Sequence, residues 1–390
     1  MATNDLTITQ ISTVLNEIVG QATGQKVLAP LDGSQFATVA QLGLKTGYDN
    51  IINSISQVLS RTIFSVRPYM PKFAPLMVST QRYGNIVRKL SPIDTDWEDD
   101  GSLAAVDGAT VDMYKVHAPK ALQTNFYGQQ TYERSLTRYL MQLDTAFSSA
   151  EEFGQFYAMM TSNVSDMIAQ AHENLARALV SNFIAAKISA NNGVVHLLTE
   201  YNTQSGLALT ATSVYQPENF PSFMKFAAAR IKSIKSMMTE RTVPIWHMNI
   251  TGKEVARHTP YNRQKMLIYA PTQFQMETSV LSDLFHDDYV RLGDNEAVNF
   301  WQSATTPDKI NVKPIYMDAD GTLKQPKDAV EQDKIFGVIF DDEALGMTSI
   351  FQNALTTPLN AKGQYYNTFW HFFDRYWTDF TENGAVLLLD

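Results

Sequence analysis

The sequence predicts an α+β chain of several parts, and three observations carry that prediction. One strongly patterned helical segment runs from about 150 to 190, strand-type segments lie on both sides of it, and the chain is long but poor in charge. In the helical segment Phe153, Phe156, Tyr157, Met160, Val164, Met167, Ile168, Ala171, Leu175, Leu179 and Phe183 recur at steps of three and four. That spacing puts them on one helix face. Gln155, Ser162, Ser165, Asp166, Glu173, Arg177 and Lys187 fall largely off it. Ser148 and Ser149 stand three residues before Glu151 and Glu152, two overlapping capping boxes, and Asn191-Asn192-Gly193 supplies a stop. Unbroken, the helix is ~60 Å long at ~1.5 Å per residue. A helix with one apolar face needs a sheet or a second helix to lie on.

A chain of 390 residues can form two or three domains. Charged residues make up 18%, below the ~25% usual for globular chains. So sparse a charge implies a surface covered by something, most simply by other copies of the chain. The net charge of −9 argues against strong, sequence-independent nucleic-acid binding, which needs clustered Lys and Arg. No cysteine is present, so disulfides, thiolate zinc sites and thiol nucleophiles are excluded. Met1-Ala2-Thr3-Asn4-Asp5 lacks the basic and apolar regions of a signal peptide, and no apolar run approaches the ~20 residues of a membrane span. The expectation is a soluble protein made in a cytoplasm.

Residues 1–65 read as an arm. Ile8, Ile11, Leu15 and Ile18 outline a short amphipathic helix ended by Gly20, and Tyr48, Ile51, Ile52, Ile55, Val58 and Leu59 outline a second. Two short helices joined by a polar, glycine-bearing segment bury little alone, so both are expected to lie on a surface of their own body or of a neighbour. From 66 to 130 the character changes to strand. Arg67-Pro68, Met70-Pro71 and Ala74-Pro75 disfavour helix. Gly84-Asn85-Ile86-Val87-Arg88-Lys89-Leu90 reads as one strand and Val111-Asp112-Met113-Tyr114-Lys115-Val116 as another. Between them Asp94, Asp96, Trp97, Glu98, Asp99 and Asp100 form an acidic, glycine-ended tip. These features together predict a protruding β-arm. Dense carboxylates also suit a hard cation, but the run lacks the alternating Asp, central Gly and terminal Glu of a calcium loop, which favours a solvated or partner-facing tip.

Beyond the long helix, Val194-Val195-His196-Leu197-Leu198 is a short strand, 201–214 a connection, and 217–238 a helix whose Phe220, Phe223, Met224, Ala227, Ile231, Ile234 and Met238 share a face. Residues 243–250 read as a strand, 252–269 as a basic helix, 281–300 as helix then strand and turn, and 310–317 as a strand. Ile335-Phe336-Gly337-Val338-Ile339-Phe340 reads as a buried strand. The aromatic run from Tyr365 to Phe380 reads as sheet core, and 385–389 as a terminal strand.

Phe340-Asp341-Asp342-Glu343-Ala344-Leu345-Gly346, the stretch Thr356-Thr357-Pro358-Leu359-Asn360-Ala361-Lys362-Gly363-Gln364-Tyr365-Tyr366-Asn367, and Thr381-Glu382-Asn383 with its following strand resemble the C-terminal region of tailed-bacteriophage major capsid proteins. The order of elements is similar along nearly the whole chain. The resemblance implies that fold: an N-terminal arm (1–65), an extended β-hairpin loop (66–130), a peripheral domain with a spine helix (131–200), an axial domain (201–334) and a return to the peripheral domain (335–390). It also implies a non-enzymatic shell subunit, without cofactor or metal, that self-assembles as hexamers and pentamers into an icosahedral capsid around double-stranded DNA. Weak non-specific DNA contacts, a portal protein at one vertex, no membrane, and assembly in the host bacterial cytoplasm belong to the same expectation. The segment before the β-arm is short and sparsely charged, which points to a separate scaffolding protein or none. Ile8, Ile11, Leu15, Ile18 and the tip from Asp94 to Asp100 are the candidate inter-subunit contacts. Lys72, Lys89, Lys115, Lys120, Asn360 and Asn367 have no spacing that shows a covalent Lys–Asn cross-link. An encapsulin-type compartment shell is the nearest alternative. A metal-dependent hydrolase using the acidic tip or His286-Asp287-Asp288 is a more distant one. No histidine pair shows helical zinc spacing, and nucleotide-binding and serine-hydrolase signatures are missing.

Overall fold

The computed structural model describes residues 17–18, 73, 87–93, 114, 118, 120–141, 150–242, 245–249, 255–280, 295–318 and 321–390. Its elements run β1 (Val87–Ile93), β2 (Lys120–Phe126), β3 (Gln129–Tyr139), α1 (Ala150–Ser189), β4 (Val194–His196), α2 (Leu197–Ser205), α3 (Phe220–Thr239), β5 (Gln264–Tyr269), α4 (Ala270–Val280), β6 (Glu296–Val298), β7 (Ile310–Val312), β8 (Tyr316–Met317), β9 (Leu323–Lys324), β10 (Val330–Gln332), β11 (Ile335–Asp341), β12 (Leu345–Thr356), β13 (Tyr365–Thr378) and β14 (Gly384–Leu388). Ile8, Ile11, Leu15, Asp94, Asp96, Trp97, Glu98, Asp99, Asp100 and His286-Asp287-Asp288 lie outside the described residues.

The apolar runs of β5, β11 and β14 form the interior of a five-stranded sheet ordered β4-β14-β11-β5-β6. Both faces of this sheet are covered, which is why the strands read as continuous hydrophobic stretches instead of alternating ones. Leu267, Val338, Phe340, Val386 and Leu388 face the second half of α1, meeting Phe183 and Ile184. Met266, Ile268, Phe336, Ile339, Ala385 and Leu387 face the other way, against α2 and α3 through Leu197, Phe223, Met224, Ala227, Ile231 and Ile234. A register shift between Ile335 and Gly337 resets the alternation of β11 against β14. The result is a helix–sheet–helix sandwich.

A second sheet, antiparallel and ordered β12-β13-β3, packs against the middle of α1. Ile168 of the helix meets Trp370 and Phe372 there, with Tyr132, Leu136 and Ala354 beside them. His172 Nε2 lies 3.1 Å from Asp374 Oδ2, and the Tyr132 hydroxyl donates to the same oxygen at 2.6 Å. One helix therefore serves two sheets. It ends where the sequence placed its stop: Asn191 takes φ 49°, Asn192 N–H donates to Lys187 O, and Asn191 N–H donates to Ile188 O. That pair of bonds is a Schellman motif with Asn in the left-handed position.

Several sequence expectations are corrected. Arg177 and Lys187 are buried, not on an exposed face, because the second half of α1 is enclosed on most sides. Arg177 stacks between the rings of Phe73 and Phe300 and bonds Glu173 and the Phe300 carbonyl. Lys187 donates to Trp246 O at 2.7 Å and to Asn192 Oδ1 at 2.8 Å. The expected helix over 252–269 is, within its described part, a bridge at Arg257, a single 3-10 turn at Tyr261–Arg263 and strand β5. Pro260 disfavours helix at Thr259, and the apolar residues of β5 split between two covered faces. The expected strand over 243–250 is bent at 245–247, because Trp246 O serves Gly384 N–H and Lys187 instead of a ladder. Leu197–Ser205 is helix, closed by Gly206 at φ 70°, where a strand end and a connection were expected. The strand over 310–317 is two short pieces divided at Pro314, which has no N–H to give. Strands β11 and β14 do pack against α1, and they also share a sheet with β5 and β6, so the spans 201–334 and 335–390 meet inside one sheet.

Burial pushes the Lys187 ammonium down to about 7. The unfolded chain then holds a proton on this lysine between pH ~7 and ~10 that the folded chain lacks, so stability rises with pH by up to ~1.4 kcal/mol per unit in that window. Denaturant melts of the unassembled subunit at pH 7, 8 and 9 are expected to show that rise, and Lys187→Met is expected to flatten it. Parallel curves for the two proteins would mean the lysine is hydrated.

Candidate functional site at the root of the β-hairpin

Strands β1 and β2 pair in antiparallel register, Val87 opposite Phe126 and Ile93 opposite Lys120. The expected strand 84–90 thus begins at Val87 and runs to Ile93. Its expected partner at 111–116 lies outside the described residues except Tyr114, and the strand that pairs is 120–126. The hairpin shares no ladder with either large sheet. Its connection to β3 is the two residues Tyr127-Gly128, and Gly128 O accepts from Tyr376 N at 3.2 Å. A Cβ on Gly128 would lie 2.3 Å from Tyr376 O and 2.8 Å from its ring, so only glycine lets the chain pass here.

What fixes the hairpin to the body is charge. Lys89 Nζ, on β1, donates to Asp379 Oδ2 at 2.8 Å and to Glu382 Oε1 at 2.5 Å, and lies 3.3 Å from Glu343 Oε2. Its side chain is 18% exposed, and those of Asp379 and Glu382 are 2% and 7% exposed. Burial alone would lower the Lys89 pKa, but Asp379 and Glu382 outweigh it and hold the group above its ordinary value. Arg257 reinforces the same joint: it donates from Nε to Thr381 O at 3.1 Å and from Nη2 to Ser91 Oγ on β1 at 2.9 Å, and it lies 3.4 Å from Glu382.

The acceptors come from two turns of the body. The first, at 341–344, joins β11 to β12. Arg263 forks onto Asp342 at 2.9 and 2.7 Å and reaches Glu343 at 2.5 Å, while Lys89 and Arg263 overcome burial to hold the Glu343 carboxyl below its usual range. Asp341 accepts from Thr259 Oγ1 at 2.7 Å and from Glu343 N–H at 2.9 Å, yet burial pushes its carboxyl up to about 6. The second turn, at 379–383, joins β13 to β14. Asp379 Oδ1 accepts from Thr381 N–H and Oγ1, and Asn383 links Thr259 to His247 at 3.2 and 3.1 Å. His247 is held by Val255 O at 2.7 Å, and burial lowers its pKa. The two turns are the segments 340–346 and 381–383 that the sequence singled out. Their carboxylates are the seat of the hairpin.

Lysine and asparagine positions weighed for cross-linking are engaged locally. Asn360 Oδ1 accepts from Lys362 and Gly363 N–H, its Nδ2 donates to the Tyr365 hydroxyl, and Asn367 Oδ1 accepts from Thr137. Lys72 and Lys115 lie outside the described residues, and Lys120 is exposed on β2. Of the candidate contacts only Ile18 is described, and it is fully buried. Among the described residues no group of three or more His, Asp or Glu is placed to hold a metal, and no helix is long and apolar enough to cross a membrane. The role of Lys89 was not legible: its partners lie about three hundred positions away in sequence, and only the acidic character of the two turns hinted at a cation between them.

A sequence model of the Phi29-like phage major capsid protein family matches residues 11–388. None of the curated proteins compared with the chain matches it. Among solved structures, a chain from native bacteriophage P68, in a structure describing the head fiber and inner core protein gp22, superposes with a TM-score of 0.52. It is 10% identical, and the match covers 83% of this chain and 86% of that one. A chain from the capsid structure of Staphylococcus phage Andhra reaches 0.49 at 11% identity, covering 81% and 83%. At such identities the P68 likeness is one of fold.

Removing the cation from three clustered carboxylates leaves buried charge uncompensated. Lys89→Met is expected to lower subunit stability by about 3 kcal/mol, whereas Lys324→Met, whose exposed pair is with Asp318, should change it by about 0–1 kcal/mol. Hydrogen exchange should quicken in β1 and β2 of the Lys89 variant and stay unchanged in β13. Uniform acceleration across all strands would show that the lysine supports the whole fold and not the hairpin.

Proposed function

The chain belongs to the Phi29-like phage major capsid protein family, and from that membership we propose how its parts divide the work of a shell. Its role is structural: it is a major capsid protein of a tailed phage, it self-assembles, and its place is the virion capsid. In the finer reading the subunits gather as hexamers and pentamers into an icosahedral shell around double-stranded DNA. A separate scaffolding protein and a portal at one vertex complete the particle, and assembly takes place in the host cytoplasm.

The observation that carries this reading is the hairpin itself. It shares no sheet with the body, yet it is fixed by a lysine on three carboxylates. A solvated loop has no use for so rigid a seat, whereas an arm that must hold a neighbour does. We assign 66–130 to that extended loop, 1–65 to an N-terminal arm, 131–200 with 335–390 to the peripheral part, and 201–334 to the axial part. The five-stranded sheet then serves as the joint between the last two. Arms bury area on neighbours without needing a local core of their own. The chain's net charge of −9 suits a wall that packaged DNA touches weakly and does not stick to.

Deleting residues 1–20 is expected to impair shell formation, seen by negative-stain electron microscopy, while leaving the subunit's melting temperature within a few degrees. Normal shells from that truncation would remove the arm from the mechanism. Reversing the charges of Asp96, Glu98 and Asp99 should weaken assembly more than it weakens the subunit, and equal losses would mean that the tip is packed internally. Closed shells, tubes or rings of the chain itself support the reading. A monodisperse monomer under every condition, with and without the neighbouring gene products, would overturn it.

A further inference from the structure

The outward face of the three-stranded sheet carries an apolar strip along β13 and the end of β12. In β13 alternate residues point to α1, and those between them point out: Tyr365, Asn367, Phe369, His371 and Phe373. An antiparallel sheet with one solvated face usually carries polar residues there. Here the central strand carries three aromatic rings and an imidazole. On the flanking strands Leu355, opposite Phe369, is 55% exposed, and Tyr139, opposite Tyr365, is 53% exposed and meets its ring edge-on at 6.2 Å. The edge strand β3 differs: Gln129, Thr131, Glu133, Ser135 and Thr137, opposite the outward residues of β13, are polar and exposed.

We propose that this face is a contact surface between subunits, and that its occupant is a second copy of this chain. The charge pattern excludes the polyanion. On the face lie Glu133 and His371, 3.6 Å apart, and Arg375, which is 2% exposed, so there is no array of free cations to displace counterions from DNA. The area suits a protein partner. Three strands spaced ~4.8 Å apart over about eleven residues present roughly 500 Å², more than half of the ~800 Å² that each side of a stable interface needs. A second copy fits because the chain assembles with itself and only 18% of its residues are charged. This surface is distinct from the arm and the acidic tip, and it is built on a sheet instead of a loop, so it holds its shape before any neighbour arrives.

A photo-reactive benzoylphenylalanine placed at 355, in shells that the chain forms in cells, tests the contact directly. The expected result is a cross-linked dimer whose second peptide comes from this same chain. Shells that form without such an adduct, or with adducts to another protein alone, overturn the proposal and leave the capsid assignment untouched. Leu355→Glu should reduce shell yield roughly tenfold or more with the subunit still folded, as expected for an apolar anchor. Oxidative footprinting of the unaltered chain gives a reading independent of any variant. Phe369 and Phe373 should be protected in shells and reactive in free subunits, and equal reactivity would count against the contact.

Discussion

The fold depends on one constraint: α1 must satisfy two different sheets along a single axis. Its middle presents Ile168 and His172 to the three-stranded sheet, and its C-terminal part presents Leu179, Phe183 and Ile184 to the five-stranded one. Neither sheet covers enough of itself to be stable alone, because each relies on the same helix to close one face. The 3.6-residue period keeps both contact stripes on adjacent sides of the helix, and the Asn191 stop fixes where the second contact ends. The two bodies are therefore set relative to each other by a rigid rod and not by a linker.

The root of the hairpin shows why buried charge is used where apolar packing would be more stabilising. Replacing an ion cluster with well-packed hydrophobic residues is often neutral or stabilising, so the cluster around Lys89 is poorly explained as a source of stability. Its geometry offers something else. Three carboxylates from two turns converge on one nitrogen, and Arg257 and Arg263 fix those turns from the far side. Apolar side chains can slide over one another at small loss, whereas an ammonium set among three oxygens cannot. The arrangement defines an angle.

Much of this architecture was legible in sequence because its signals are local. The period of α1, its Asn-Asn-Gly end, the apolar stretch of β11 and the aromatic spacing of β13 each sit within a short window. The errors fell where a segment's partners were distant. Residues 264–269 carry apolar and basic residues at spacings compatible with helix, and only the pairing of Gly337 with Ile268 makes them strand. Residues 245–247 look like strand until Lys187 and Gly384 take the Trp246 carbonyl. Lys187 itself reads as a solvated charge near a helix end. The family's motif turns were visible as motifs, but the cation they hold comes from Lys89, nearly the whole chain away.

Strand β14 is the last of the described strands in chain order, yet it lies inside the five-stranded sheet, between β4 and β11. Strand β4 has no other partner in that sheet. The sheet therefore cannot close until β14, the last of the described strands to be made, has left the ribosome. A chain cut short just before β14 has the described helices and thirteen of the fourteen described strands but lacks the one that joins β4 to β11. Such a fragment has no finished body to which the β1–β2 hairpin can be fixed. Synthesis and folding are thereby placed in a fixed order: the body cannot be finished before β14 has been made.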